Sequence, residues 1–197
     1  MLSILLGLVG FSVDFLYYAP LILIDNFGFN FYLNGVIINL SELITYFVSY
    51  FLITKLKRKN MALFLFAVAF GCSFILLFIH KNEICSEDCW NAKNVIELLI
   101  IFVMRFAISL EFQIYLIYVN ELYPTQIAGI GVSYTSIIGT LPNIFLPELI
   151  NLSNRYNVNV MIYFCAISIV GLVSSKFIKE TQGCQPNEKI DELYKKE

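Results

Sequence analysis

The chain has 197 residues, of which 58% are hydrophobic and 14% are charged, and its formal net charge is −2. Its mean hydropathy is +0.74. A soluble core of this size could not hide so much apolar surface, so the composition excludes an ordinary soluble domain and indicates a membrane protein. The small net charge says little by itself, and we expect no nucleic-acid partner.

Six apolar segments are each long enough to cross a bilayer, which takes about 20 helical residues. They cover residues 2–24, 32–54, 61–80, 94–119, 128–150 and 159–178. The polar connections between them are short and leave no room for a separate soluble domain. We therefore predict an all-α, multi-pass membrane fold in which residues 1–180 form one six-helix unit and residues 181–197 form a cytoplasmic tail.

Basic residues predict the orientation, because short loops rich in Lys and Arg stay in the cytoplasm. They cluster at two connections on the same side of the membrane: Lys55, Lys57, Arg58 and Lys59 before the third span, and Lys176 and Lys179 after the sixth. Both termini are therefore placed in the cytoplasm. Among membranes, we favour the plasma membrane over an internal one.

Two cysteines, Cys85 and Cys89, share the loop that this orientation places outside. An oxidising compartment would permit a disulfide between them, and two free thiols are the other reading. A zinc site with His80 is a weaker alternative, because the paired C-x-x-C spacing is missing. We expect no cofactor or metal. The sequence also has no nucleophile–base set and no phosphate-binding loop, so we do not expect an enzyme.

Polar side chains inside the spans fall on helical stripes with a period of 3.6 residues. The stripes are Asp14, Tyr17 and Tyr18; Asn39, Glu42, Tyr46 and Ser49; Arg105, Ser109, Phe112 and Gln113; and Ser133, Ser136, Thr140 and Asn143. Hydroxyl groups alone mostly hold helices together. Ionisable groups such as Asp14, Glu42 and Arg105 more often mark ion pairs, proton relays or substrate contacts. Glu111 points away from the Arg105 stripe.

The stretch from Arg105 through Gln113 to Glu121-Leu122-Tyr123-Pro124-Thr125, followed by Gly131-Val132 and ending at Pro147, resembles two helices of a known family. They are the tenth and eleventh helices of the organic cation, anion and zwitterion carriers of the major facilitator superfamily. The likeness extends over almost the whole chain: Tyr17-Tyr18, Glu42 and Lys179-Glu180-Thr181-Gln182-Gly183 are similar to motifs of the seventh helix, the eighth helix and the end of the twelfth. The resemblance implies the C-terminal six-helix half of a twelve-helix carrier.

The resemblance also implies roles for individual residues. The family's cavity positions are matched by Tyr17, Tyr18, Glu42, Gln113 and Thr140, its basic residue by Arg105, and we add Asp14 to this substrate-binding set. Gating positions are matched by Lys55, Arg58, Glu121 and Pro124. The chain departs from the pattern at three places. The loop at 54–59 lacks the family's acid and glycine, Ala128 replaces an arginine, and Thr140 is neutral where relatives carry a charge.

The resulting hypothesis is a transporter, or its C-terminal half, that moves small organic ions by alternating access. Glu42, Gln113, Asp14 and Glu111 favour a cation or a zwitterion. The expected partners are the lipid bilayer, a small organic ion, and either an N-terminal six-helix half or a second copy of the chain. The alternative is a non-transporting membrane subunit or a truncated remnant of such a carrier. This alternative would explain the lost loop acid, Ala128 and the absent half.

Overall fold

A computed structural model describes residues 2–23, 31–55, 57–79, 92–123, 128–156 and 158–178. These residues form six α-helices: α1 (Leu2–Ile22), α2 (Phe31–Lys55), α3 (Arg58–Ile79), α4 (Ala92–Leu122), α5 (Ala128–Tyr156) and α6 (Met161–Phe177). The predicted all-α fold is confirmed. The hypotheses about His80, Cys85, Cys89 and the tail at 181–197 lie outside the described residues.

Four helices are long and apolar enough to cross a membrane, namely α1, α2, α3 and α5. The sixth helix is apolar but has only 17 residues, which is at the short end for a span. The fourth is the longest, with 31 residues, and includes both Arg105 and Glu111. Where the bilayer begins and ends along each helix stays a prediction.

Two helices, α1 and α4, occupy the centre of the bundle. The first contacts α4, α5 and α6, and the fourth contacts α1, α2 and α3, while α3 and α6 pack against each other. The main core lies where these helices meet and contains the fully buried side chains of Leu16, Phe66 and Ile108. The outer helices α2 and α5 are held mainly by α4 and α1, respectively.

Glycines let helices approach closely at two of these contacts, as small residues do in membrane proteins. A Cβ at Gly139 of α5 would lie 3.5 Å from the backbone carbon of Gly10 in α1, so the two backbones are nearly in contact. A Cβ at Gly171 of α6 would collide with the ring of Phe66 in α3. A larger residue at Gly171 would therefore force these helices apart.

Large apolar side chains cover the exposed surfaces of α2 and α5. Examples are Tyr32, Val36 and Phe47 on α2, and Ile130 and Ile144 on α5. Such exposure is expected where helices face lipid tails, which are as apolar as the side chains themselves. The polar stripes therefore stand out against a largely apolar surface.

Candidate functional site

Six side chains from α1, α2 and α4 meet in one polar and aromatic group, which we call the Glu42 cluster. It consists of Tyr17, Tyr18, Glu42, Tyr46, Arg105 and Phe112. Four of these residues belong to the predicted substrate-binding set. The central bundle contacts of α4 with α1 and α2 bring them together.

The carboxylate of Glu42 accepts hydrogen bonds from three side chains. The Tyr17 hydroxyl donates to Oε1 over 2.6 Å, and the Tyr46 hydroxyl donates to the same atom over 3.5 Å. On the other oxygen, Oε2, a guanidinium nitrogen of Arg105 forms an ion pair at 3.4 Å. The negative charge is therefore held by one strong phenol contact and one longer ionic contact.

Arg105 is completely buried and is stabilised by three kinds of contact. Besides its ion pair, it donates a hydrogen bond to the backbone carbonyl of Tyr17. Its guanidinium carbon also lies 3.8 Å from the centre of the Tyr17 ring, which is a cation–π geometry. The Tyr17 ring also stacks on the ring of Phe112, with centroids 5.0 Å apart.

The acid of the cluster is open to the outside, whereas the base is not. The side chain of Glu42 is 22% exposed, and that of Arg105 is 0% exposed. Tyr18 and Tyr46 beside it are both exposed. The cluster is thus not a sealed seam between helices: it presents a carboxylate and phenol groups at an accessible surface, with the arginine behind them.

The other three residues of the predicted binding set lie elsewhere in the contacts that the structure describes. Asp14 is buried where α1 and α5 meet, with Oδ2 3.8 Å from the position of a Cβ at Gly139. Gln113 is half-buried on α4. Thr140 is exposed, and its hydroxyl donates to the Ser136 carbonyl over 3.0 Å within its own helix. None of the described contacts joins these three residues to the Glu42 cluster.

Tyr46 and Phe112 were missing from the predicted site although both lie on the polar stripes. Tyr46 follows Glu42 by four residues, and Phe112 follows Arg105 by seven, so each shares a helix face with its neighbour. Helical spacing was therefore a sufficient signal for both. An aromatic residue in an apolar span gives no sign of its own that it contacts a charge.

The predicted gating residues are partly described. Arg58 at the start of α3 forms an ion pair with Glu121 near the end of α4. Ala128 stands where an arginine was expected near Glu121, and the structure supplies a different base, Arg58, from the first turn of α3. The side chain of Lys55 and all of Pro124 lie outside the described residues.

The larger of the two described cavities is an open groove of about 670 Å³ between α2, α3 and α4. Its walls are mainly apolar and include Leu52, Met61, Phe64, Leu65, Phe106 and Leu110. No residue of the Glu42 cluster lines it. Because an ion needs charged or hydrogen-bonding partners, we do not assign this groove to the polar site.

Residues 1–147 match the family model of the Major Facilitator Superfamily. The chain belongs to this superfamily. Three relatives illustrate the match. Organic cation/carnitine transporter 2 of Arabidopsis thaliana is 26% identical over 187 residues, which cover 93% of this chain and 34% of the relative. The Beta-alanine transporter of Drosophila melanogaster is 27% identical over 166 residues, with 84% of this chain and 24% of the relative covered.

Solute carrier family 22 member 4 of Mus musculus is the third relative, 23% identical over 179 residues that cover 91% of this chain and 31% of the relative. The chain thus spans between about a quarter and a third of the length of these curated relatives. The resemblance to organic-ion carriers is confirmed. Together with the apolar helices, it identifies an integral, multi-pass membrane protein, and the relatives' names as transporters agree with the expectation that this is not an enzyme.

Proposed function

We propose that this chain contributes the C-terminal six-helix half of a carrier that moves small organic ions across a membrane by alternating access. Organic cations and zwitterions are the preferred substrates. The observation that carries the proposal is the Glu42 cluster, because a buried guanidinium supports an acid that is partly exposed beside phenol rings. Ionisable groups inside membrane helices usually mark a substrate or ion pathway.

The chemistry of the cluster suits a positively charged organic group. Tyr18 and Tyr46 offer exposed rings, whose faces attract ammonium groups, and Glu42 offers the opposite charge. Because Arg105 contacts Glu42 at 3.4 Å, an entering cation can compete with it for the carboxylate. For a zwitterion, Arg105 would supply the partner for the negative end. Asp14, Gln113 and Thr140 remain proposed members of the substrate path.

The Arg58–Glu121 ion pair is the proposed gate of this half. It connects the start of α3 to the end of α4, and both side chains are partly shielded, with 15% and 33% exposed. Breaking the pair would allow these helix ends to move apart during the rocking of the two halves. Lys55 and Pro124 are proposed to act at the same end, which we place in the cytoplasm together with both termini, in the plasma membrane.

A partner must complete the cavity in this proposal. Six helices supply one wall, so the exposed polar stripe of α5 and the Glu42 cluster would face either an N-terminal six-helix half or a second copy of the chain. The lipid bilayer surrounds the apolar remainder. Chemical cross-linking of the purified chain in liposomes distinguishes a second copy from a different partner.

Uptake into liposomes that contain the purified chain tests the transport proposal. We would compare radiolabelled tetraethylammonium, carnitine and salicylate as a cation, a zwitterion and an anion. We expect the cation and the zwitterion to accumulate above the level in empty liposomes. Uptake should fall at least tenfold in Glu42→Gln and Arg105→Gln. It should stay unchanged in Glu148→Gln, since Glu148 is an exposed acid outside the cluster.

Each alternative result has a definite meaning. If the parent chain transports but Glu42→Gln and Arg105→Gln transport equally well, the site is wrong. If salicylate alone is taken up, the substrate class is wrong. If no probe accumulates, a second copy of the chain does not complete the cavity. A separate N-terminal half is then required, and if adding it does not restore uptake, the non-transporting membrane subunit or carrier remnant becomes the better description. One observation favours that second candidate: the Glu42 carboxylate already has three partners within the chain.

A further inference from the structure

A small, partly open cavity lies between α1, α3, α4 and α6, separate from the Glu42 cluster. Leu6 and Val9 of α1 and Ile114 of α4 form apolar parts of its wall. The volume in which the centre of a water molecule fits is about 20 Å³, which is enough for about one water. Glu111 in the wall of this cavity is only 1% exposed.

Three buried oxygen-bearing side chains line this cavity and lack a hydrogen-bond partner. They are Oε2 of Glu111, the hydroxyl of Tyr115 and the hydroxyl of Ser175, in residues that are 1%, 8% and 3% exposed. Buried polar atoms without partners are rare in folded proteins, and each calls for an explanation. Three at one water-sized cavity indicate that something small and polar binds there.

The charges around Glu111 come from one helix. Arg58 and Lys59 of α3 line the same cavity, Tyr115 and Tyr118 come from α4 itself, and Ser175 comes from α6. The first helix contributes only apolar groups to the wall, and no lining residue comes from α2 or from α5 among the residues described. Beyond the wall, Tyr115 also faces Asp14 of α1 and Thr135 of α5. Arg58 forms an ion pair with Glu121.

We propose that Glu111 is a proton-binding site. A hydronium ion gives its proton to a carboxylate oxygen of Glu111, a new O–H bond forms, and the water that is left can stay in the cavity. There it can bond to the hydroxyls of Tyr115 and Ser175, since a buried water commonly has about three partners. The neutral acid removes the large cost of burying an unpartnered carboxylate.

Proton binding here has a consequence for the Arg58–Glu121 ion pair, because Arg58 also lines the cavity. A neutral Glu111 leaves Arg58 with Glu121 as its acidic partner. When the proton leaves, a second carboxylate lines the cavity that Arg58 also lines, and the two acids compete for one guanidinium. The site itself does not depend on the proposed transport activity, so it can be tested in a chain that transports nothing.

Infrared difference spectroscopy of the full chain in lipid, titrated with acid and base, tests the proposal. We expect a carbonyl band of a protonated carboxylic acid that appears and disappears with pH, and that shifts when glutamate carries ¹³C. Glu111→Gln, which preserves shape and polarity, should remove this band, and Glu148→Gln should retain it. Tyr115→Phe and Ser175→Ala should move the midpoint of its titration by half a pH unit or more.

Two controls keep the result decisive. Isotope labelling assigns the band to glutamate in the native chain, so a folding defect in Glu111→Gln does not prevent the assignment, and the Tyr115→Phe and Ser175→Ala midpoints tie it to this cavity. Replacing sodium chloride by potassium chloride at constant pH should leave the band unchanged. A band that follows sodium instead of pH, a band that persists in folded Glu111→Gln, or no glutamate band at all would overturn the proposal.

Discussion

Two acidic groups at different sides of the same helix, α4, differ in whether they have hydrogen-bond partners. On one side, Arg105 reaches Glu42 of α2, and every atom of that carboxylate that carries charge has a donor. On the other side, Glu111 is buried beside α3 and α6, and its Oε2 has no partner. Both sides lie within one apolar bundle, so the difference comes from the neighbouring side chains and not from the general environment.

The contrast distinguishes two roles of a polar side chain in a membrane helix, namely holding helices together and binding a small ligand. A satisfied acid such as Glu42 can hold helices together through its ion pair with Arg105, although Nε of that arginine has no hydrogen-bond partner. Because Glu42 is 22% exposed, it can also meet a ligand. An unsatisfied acid such as Glu111 contributes little to holding helices, since an unpartnered buried carboxylate costs free energy. Its presence is better explained by something that it binds.

Removing the acid from the satisfied side should have the largest effect on stability. Glu42→Ala leaves the guanidinium of Arg105 fully buried without an anionic partner. Breaking a buried pair in this way costs about 3 kcal/mol, to be measured as the free energy of unfolding in mixed detergent micelles. Glu148→Ala, which removes an exposed acid from α5, should change it by less than about 0.5 kcal/mol. Equal losses in both variants would mean that the Arg105–Glu42 pair is not a stabilising contact.

Two tyrosine variants test which phenol contributes most to holding the Glu42 carboxylate. Tyr17→Phe removes the 2.6 Å hydrogen bond to Glu42 and retains the ring that lies over Arg105 and stacks on Phe112. The expected loss is about 1.5 kcal/mol, at the low end for a bond to a charged group because Glu42 is partly exposed. Tyr46→Phe removes only a 3.5 Å contact and should cost less than about 0.5 kcal/mol. The reverse order, measured by the same unfolding assay, would show that Tyr46 is the main donor.

Much of the fold could be predicted from apolar run length, because each span needs about 20 residues without water. The helix ends could not. The fourth helix continues three residues past the predicted limit at 119, and the fifth continues six past the limit at 150. Backbone hydrogen bonds extend a helix beyond its apolar segment, and hydropathy does not sense them.

For the site, a period of 3.6 residues correctly separated Arg105 from Glu111 on α4, and the family resemblance brought Tyr17, Tyr18 and Glu42 into one set. Their contacts depend on which helices are neighbours, which no single helix encodes. The partner of Glu121 illustrates this limit. The sequence showed only that Ala128 could not supply a charge, whereas the meeting of α3 and α4 supplied Arg58. Similarly, the cavity at Glu111 requires four helices and has no motif.

The smallest effect on the free energy of unfolding is expected at Glu111, and it tests the contrast with Glu42 most directly. Glu111→Leu replaces an unpartnered buried acid by an apolar side chain of similar size in a wall that already contains Leu6, Val9 and Ile114. Such replacements are often neutral or stabilising, so the free energy of unfolding at neutral pH should stay within about 1 kcal/mol of the parent. The same micelle assay that measures Glu42→Ala provides the comparison. A loss near that of Glu42→Ala would mean that Glu111 holds the bundle together as Glu42 does, and the two sides of α4 would then differ only in geometry.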